Sequence, residues 1–149
     1  MKKSILFLFV VLASTQVNAQ KTDKEQVTKA CMNYLEGFYE GDTAKLKTAL
    51  NSTLHKFGFW KSKKTNKYGE ADYMTFEAAI KYAENVKAKK SFPPKNAPKK
   101  VEVLDIMDKI ASAKVTAWWG VDYILLSKHD SGWKIEQVLW QGPLPRPSK

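Results

Sequence analysis

The sequence has little cysteine, little histidine and no metal-binding or phosphate-binding motif, and each scarcity excludes a class of protein. Cys31 is the only cysteine, so the 149-residue chain must fold on an apolar core without an internal disulfide. No cysteine pair, His-x-His pair or calcium-type carboxylate loop is present, nor a glycine-rich phosphate loop or a serine-nucleophile motif. We therefore expect neither a metal nor a cofactor.

The first 19 residues have the three-part composition of a secretory signal peptide. Two lysines precede an apolar run from Ile5 to Ala13, and a polar stretch ends at Ala19. An uncleaved membrane anchor is the alternative, but the run is about half of the roughly 20 residues that cross a bilayer. We expect cleavage after Ala19 and an exported product, periplasmic or secreted. It would contain one domain over residues 20–141 and an irregular tail over residues 142–149.

A first helix is predicted from Asp23 to Gly41. Asp23 and Gln26 resemble a capping box, and Gly41 suits the left-handed residue that often ends a helix. The apolar residues between them recur at helical spacing and predict one buried stripe: Val27, Ala30, Cys31, Tyr34, Leu35 and Phe38.

Two more helices and a series of strands should follow. Asp42 can cap a short second helix through about Leu50, and Thr75 can cap a third. The segment between them, from Leu54 to Lys61, alternates like a strand. The helices are thus segregated from the strands that follow, which indicates an α+β fold, with three N-terminal helices packed on a curved antiparallel sheet.

The last third of the domain reads as three long strands. They cover residues 101–108, 113–128 and 133–140, and the second is predicted to bend at Gly120, since glycine often marks a bulge. In the third strand Trp133 and Ile135 share one face, while Val138 and Trp140 share the other. Only one pair can face the main core unless a bulge changes the parity.

Three stretches together carry a resemblance: "MNYLEGFYEGDTAKLKTAL", "VEVLDI" with "ASAKVTAWW", and "VDYILLSKHDSGWKIEQVLW". In order and spacing they resemble the putative lumazine-binding family, which belongs to the nuclear-transport-factor-2-like superfamily and is related to the SnoaL-like proteins. The resemblance covers roughly residues 24–140. It implies a cone-shaped α+β domain with an interior pocket and a tendency to form a homodimer through the sheet. It implies no particular activity, because the superfamily contains enzymes and non-enzymes.

His55 and Asp122 are the candidate catalytic residues. His55 lies on a predicted strand beside two phenylalanines, and it would be a general base if that face pointed into the pocket. Asp122, or Tyr34 on the first helix, would orient it. His129 lies in a predicted hairpin turn, where a solvated surface position is expected. Outward placement of His55 and of the strand aspartates is the ordinary alternative.

Large aromatic side chains are the candidate ligand-binding residues, since flat rings can stack on them. The set comprises Tyr34, Phe38, Trp60, Trp118, Tyr123 and Trp140. A place in the core or at a subunit interface is the competing interpretation. Trp118 and Trp119 are neighbours in the sequence and would point to opposite faces of a strand, so one of them would leave the core. That outward tryptophan is our sequence-based reason to expect a homodimer.

The chain carries a net charge of +10, with lysines concentrated in residues 61–67 and 87–100. We interpret these lysines as a solvated basic surface. A polyanion or lipid head group is the alternative, and nucleic acid is not expected for an exported chain without a nucleic-acid motif.

Two functional hypotheses remain. The first is a domain without catalysis that binds a small apolar or aromatic molecule, or acts as a dimeric interaction module. The second is a small isomerase or dehydratase that uses His55 as general base.

Overall fold

A computed structural model describes residues 22–145 of the chain. The predicted leader, residues 1–19, lies outside the described residues, as do residues 146–149 of the predicted tail. Helix α1 spans 22–40. The other elements are α2 (Thr43–Ala49), β1 (Leu50–Trp60), β2 (Asp72–Met74), α3 (Phe76–Lys89), β3 (Lys100–Ile106), β4 (Ile110–Ala117), β5 (Gly120–His129) and β6 (Gly132–Gly142).

The six strands form one curved, unclosed sheet with the order β2-β1-β6-β5-β4-β3. Neighbouring strands are antiparallel except β1 and β6, which run parallel. The three helices pack on one side of the sheet, so the predicted α+β cone is confirmed. No helix within residues 22–145 is both long and apolar enough to cross a membrane.

The capping residues and the apolar stripe read from the sequence predicted where α1 ends and where α2 and α3 begin. Gly41 ends α1 with a left-handed φ of 66°, and the Asp42 carboxylate accepts the backbone N–H groups of Ala44 and Lys45 at the start of α2. The Thr75 hydroxyl caps α3 in the same way. All six residues of the predicted apolar stripe of α1 are buried.

The predicted capping box of α1 is wrong, because the helix already includes residue 22. Asp23 instead joins α1 to the β5–β6 hairpin. Its carboxylate accepts hydrogen bonds from Lys128 Nζ at 2.9 Å and from Trp133 Nε1 at 3.1 Å. The hydrogen bond from Lys128 lowers the pKa of Asp23.

Gly120 is not the bend of one long strand. Ala117 and Gly120 are paired across a two-residue turn made by Trp118 and Trp119, so the segment 113–128 is a hairpin of β4 and β5. Gly120 has a φ of +154°, and a Cβ there would lie 2.0 Å from the carbonyl oxygen of Gln141. Glycine is therefore needed for the hairpin, and the sequence-based argument that the two tryptophans occupy opposite sheet faces does not hold.

A β-bulge resolves the conflict between the two halves of β6. Leu125 pairs with Gln137 but Leu126 pairs with Ile135, so Glu136 is an extra residue on β6. The parity changes at that point, and Trp133, Ile135 and Val138 are all buried. The alternative in which a bulge alters the parity is thus the correct one.

The Glu136 carboxylate binds polar groups at the bulge. Oε1 accepts hydrogen bonds from Asn51 Nδ2 at 2.8 Å and from Ser127 Oγ, and it lies 2.8 Å from His129 Nε2. Burial opposes ionisation of Glu136, but the hydrogen bonds from Ser127 and Asn51 outweigh it and lower the pKa. His129 is exposed, as predicted.

Candidate functional site

A cavity of about 210 Å³ opens between the helices and the inner face of the sheet, which is the face that carries Lys56, Asp122 and Trp140. Its walls come from α1, α3, β1, β2, β6 and the β4–β5 turn. Most of the lining residues are aromatic: Phe38, Trp60, Tyr82, Trp118, Trp119 and Trp140. The other three are Lys56, Asp72 and Met74. Apolar walls with a few polar groups are typical of small-molecule sites.

A charged pair lies buried at the base of this cavity. Lys56 and Asp122 are the only buried polar or charged residues in the described chain, with exposures of 6% and 0%. Their Nζ and Oδ2 atoms are 3.8 Å apart, which is an ion pair but too long for a hydrogen bond. A buried charge is costly without a partner of opposite sign, so each of the two residues stabilises the other.

Tyr34 connects the two charges. Its hydroxyl accepts a hydrogen bond from Lys56 Nζ at 2.8 Å and donates one to Asp122 Oδ2 at 2.6 Å. The other carboxylate oxygen, Oδ1, accepts the indole N–H of Trp119 at 2.8 Å. We call Lys56, Tyr34, Asp122 and Trp119 the polar network. Through Trp119 it extends from the buried core to the cavity wall.

Aromatic faces surround the ammonium group of Lys56. Nζ lies 5.5 Å from the ring centroids of Tyr34 and Trp140 and 5.9 Å from that of Phe38. The electron-rich face of an aromatic ring attracts a cation at this range. The single hydrogen bond does not offset the whole free-energy cost of removing the Lys56 ammonium from water, and the rings offset part of the remainder.

Burial changes the acid–base properties of the groups near Asp122. It lowers the pKa of Lys56, while Asp122 and Asp72 act in the opposite direction. It raises the pKa of Tyr34 well above the usual value, and the charge of Asp122 adds to the effect. It also raises the pKa of Cys31 to about 12, again with a contribution from Asp122. Tyr34 and Cys31 therefore keep their protons at neutral pH.

The β4–β5 turn is held against α1 by a second tyrosine. The Tyr39 hydroxyl accepts the backbone N–H of Trp118 at 2.8 Å and donates to the carbonyl oxygen of Pro98 at 2.5 Å. The Trp119 ring packs edge-on against Tyr39, with centroids 5.6 Å apart. Both tryptophans of the turn are thereby directed to the cavity.

Gly58 provides the space that Trp140 occupies. The two residues are partners on the neighbouring strands β1 and β6. A Cβ on Gly58 would lie 2.2 Å from the backbone oxygen of Trp140 and 2.4 Å from its Cγ. A side chain fits at this position only if Trp140 moves, and the indole ring lies across the strand at the edge of the cavity.

Four of the predicted ligand-binding residues line the cavity: Phe38, Trp60, Trp118 and Trp140. Tyr34 lies beneath it, fully buried in the polar network. Tyr123 does not line it. This residue is 55% exposed on the outer face of the sheet, because it lies one position away from the inward-facing Asp122.

His55 is not in the cavity, so the hypothesis that it acts there as general base is wrong. It is exposed on the outer face, next to Phe57 at 5.3 Å and Tyr73 at 6.3 Å between ring centroids. The adjacent residue Lys56 takes the inward position instead. A histidine on the opposite face of the sheet cannot act as general base in the cavity.

Sequence reasoning missed Lys56, Trp119, Tyr82, Met74 and Asp72 as cavity residues. Lys56 carried one available signal, because it alternates with Leu54 and Gly58 on a predicted strand. A lysine between an apolar residue and a glycine on one strand face is a candidate for burial. Within residues 22–145 no group of three or more histidine, cysteine or acidic residues could hold a metal ion.

Solved structures with the same backbone arrangement are nuclear-transport-factor-2-like proteins. One of unknown function from Silicibacter pomeroyi has a TM-score of 0.56 and 16% identity, over 86% of this chain and 96% of its own. Another of unknown function, from Shewanella baltica, has a TM-score of 0.60 and 19% identity, over 80% of this chain and 92% of its own. At these identities the likeness establishes the fold class alone.

The sequence then defines the family. A model of the family described as putative lumazine-binding matches residues 22–141, and the chain therefore belongs to that family. The resemblance found in the sequence is confirmed. No curated protein shows significant similarity to the chain.

Proposed function

We propose that the protein is an exported domain that binds a small, flat, aromatic molecule in the cavity. The observation that carries the proposal is that the aromatic side chains between the helices and the sheet leave a space of about 210 Å³ instead of filling it. The family description names lumazine, a flat heterocycle, which agrees with aromatic walls. A domain acting only as an interaction module would have no need of such a space.

Lumazine is the first probe for this proposal. Four of the five tryptophans line the cavity, so a bound ring should change the intrinsic fluorescence as well as raise the melting temperature. Trp140→Leu should weaken binding about three- to tenfold, the range expected for loss of an aromatic pair.

Tyr123→Leu is the matched control, since it removes an aromatic ring from the outer face. It should leave the affinity unchanged. The proposal fails if neither lumazine nor other bicyclic heterocycles raise the melting temperature, or if the two variants weaken binding equally.

We also propose that the outer face of the sheet forms a homodimer. Tyr123 and Leu139 are paired on adjacent strands, and with Leu125 they are 55%, 44% and 51% exposed. Contiguous exposed apolar side chains favour a protein contact.

Sedimentation should give a dimer for the parent protein and a monomer for Leu125→Lys. Phe92→Lys, an equally exposed position after α3, should remain dimeric. A parent protein that sediments as a monomer at micromolar concentration would refute this proposal.

Export is the third element of the proposal, and it rests on the signal-like leader. Expression of the full chain in a bacterium should yield a product outside the cytoplasm whose N-terminus is Gln20. A chain lacking residues 2–19 should stay in the cytoplasm. Recovery of the full chain with its leader intact in the membrane fraction would instead indicate an anchor.

A further inference from the structure

We propose that the ligand carries an uncharged carbonyl oxygen and that Lys56 donates a hydrogen bond to it. This inference deepens the proposed function and rests on it, because it names the chemical class of the molecule in the cavity. It starts from the hydrogen bonds that Lys56 makes and those that it leaves unmade.

Lys56 has more N–H donors than the protein provides acceptors for. An ammonium group has three N–H donors, and among the described residues Nζ has one hydrogen-bond acceptor, the hydroxyl of Tyr34. Asp122 Oδ2, at 3.8 Å, is beyond hydrogen-bond range. Lys56 is also a lining residue of the cavity. A ligand acceptor at the base of the cavity would satisfy a donor that the protein leaves without an acceptor.

A ligand cannot reach the acceptors of the polar network, because Tyr34 and Asp122 are both fully buried. The Tyr34 hydroxyl both accepts from Lys56 and donates to Asp122, and the two oxygens of Asp122 accept from Tyr34 and Trp119. The polar network therefore offers a ligand a donor rather than an acceptor. A carbonyl oxygen on the ring fits this requirement, whereas an unsubstituted aromatic ring does not.

The local charge disfavours an anion. Asp122 lies beneath Lys56, and Asp72 on the cavity wall also interacts with it electrostatically. Two carboxylates thus face one ammonium, and a ligand carboxylate would add a third negative charge. If Lys56 released its proton, the amine would still donate but the balance would become more negative, so the preference for an uncharged acceptor does not depend on its ionisation.

A cationic ring is disfavoured for a different reason. The aromatic faces that would receive it already surround the ammonium group of Lys56, at 5.5 to 5.9 Å from Tyr34, Phe38 and Trp140. A second cation against the same rings would be repelled by the first.

Four bicyclic probes of similar size test the inference by calorimetry on the purified protein: 2-quinolone, naphthalene, 2-naphthoate and N-methylquinolinium. We expect 2-quinolone to bind roughly tenfold or more tightly than each of the others, the advantage of a hydrogen bond to a charged donor. Tighter binding of 2-naphthoate would make the cavity an anion site, and tighter binding of N-methylquinolinium would make it a cation site. Either result overturns the inference.

Variants assign the preference to Lys56. Lys56→Met combined with Asp122→Asn removes both charges and keeps an acceptor for Trp119. It should lose the preference for 2-quinolone over naphthalene. Asp72→Asn should strengthen binding of 2-naphthoate several-fold relative to that of 2-quinolone.

The outcomes separate the two proposals. If all the probes bind with equal affinity, or if the double variant keeps the full preference for 2-quinolone, the carbonyl inference fails while aromatic binding stands. If no probe binds, the proposed function fails and the inference fails with it.

Discussion

The two faces of the sheet are formed by the same strands but differ in the burial and charge of their side chains. On the inner face, Lys56 and Asp122 are buried and are connected through the Tyr34 hydroxyl, beside a cavity that remains open. On the outer face lie their neighbours in the sequence, His55 beside Lys56 and Tyr123 beside Asp122. Both are exposed and belong to an apolar surface that the described chain leaves uncovered. Successive residues of a strand point to opposite sides, so one position in the sequence separates a cavity residue from a surface residue.

This comparison shows why aromatic residues alone do not identify the site. Both faces are rich in aromatic rings, and Phe57 and Tyr73 stack on the outer face at 5.4 Å between centroids. What distinguishes the inner face is the buried charge beneath its rings. A charge is costly to bury, so its presence beside an open cavity is better evidence for function than the rings themselves.

The largest expected effect follows from breaking the charge pair of the inner face. Asp122→Asn keeps the shape of the side chain but leaves Lys56 buried without its counter-charge, and should lower the free energy of unfolding at pH 7 by about 3–5 kcal/mol. Urea unfolding followed by tryptophan fluorescence measures this loss. Lys56→Met in the same chain should restore most of it, because the one charge left unpaired is then also removed.

The exposed Asp105 supplies the control for this prediction. Asp105→Asn makes the same chemical change on β3 and should alter the free energy of unfolding by no more than about 0.5 kcal/mol. Equal losses for the two aspartate variants would mean that the buried pair has no special role in stability.

A smaller effect should come from filling the space beside Trp140. Gly58→Ala places a methyl group against the backbone and ring of Trp140, which must move, at a cost of about 1–3 kcal/mol of unfolding free energy. Binding of an aromatic probe should weaken as well, because the ring lines the cavity. Gly69→Ala is the matched control, since a Cβ there meets no atom closer than 4.0 Å. Equal stabilities of the two alanine variants would contradict the tight fit inferred for Gly58.

The buried thiol beneath the inner face should make the fold sensitive to alkali. The pKa of Cys31 rises from 9.0 to about 12 on folding, so above pH 9 the unfolded chain holds fewer protons and the free energy of unfolding falls as the pH rises. At pH 10 this loss is about 1.4 kcal/mol. Tyr34, whose pKa is also raised, acts in the same direction above pH 10, while Lys56, whose pKa is lowered, acts in the opposite one.

A comparison of the parent with Cys31→Ala isolates the thiol contribution, because the other groups titrate in both chains. Urea unfolding at pH 7, 8, 9 and 10 should show the difference in stability between the two proteins shifting in favour of the variant by about 1.4 kcal/mol. A difference that stays constant with pH would show that the thiol titrates normally in the folded protein.

The parts of the structure that depend on local signals could be predicted from the sequence. The caps Asp42 and Thr75, the end of α1 at Gly41 and the apolar stripe of α1 involve residues within a few positions of one another. The turn at Trp118 and Trp119 could not, because neither residue is a turn former. The turn depends on a long-range hydrogen bond with Tyr39, and on Asp122, three residues from Trp119, being held in the buried network.

The face of β1 could not be predicted either, for a related reason. Whether His55 or Lys56 points inward is set by pairing with β6, which is some 80 residues away in the sequence and whose own parity changes at the Glu136 bulge. The aromatic lining was partly predictable because large rings are often buried in such a fold. The buried lysine was missed, because its one signal, a place between Leu54 and Gly58 on a strand face, identifies it only once the inward face of β1 is known.

The smallest expected effect tests the outer face. His55→Gln should change the free energy of unfolding by no more than about 0.5 kcal/mol, since the side chain is exposed and makes ring contacts without a buried hydrogen bond. The affinity for 2-quinolone should not change, because the opposite face holds the cavity. Lys56→Gln, one position further along the same strand, should by contrast reduce both stability and the preference for the carbonyl probe. A His55 variant that impairs binding as much as the Lys56 variant would mean that the two faces are coupled, and the assignment of function to the inner face alone would have to be abandoned.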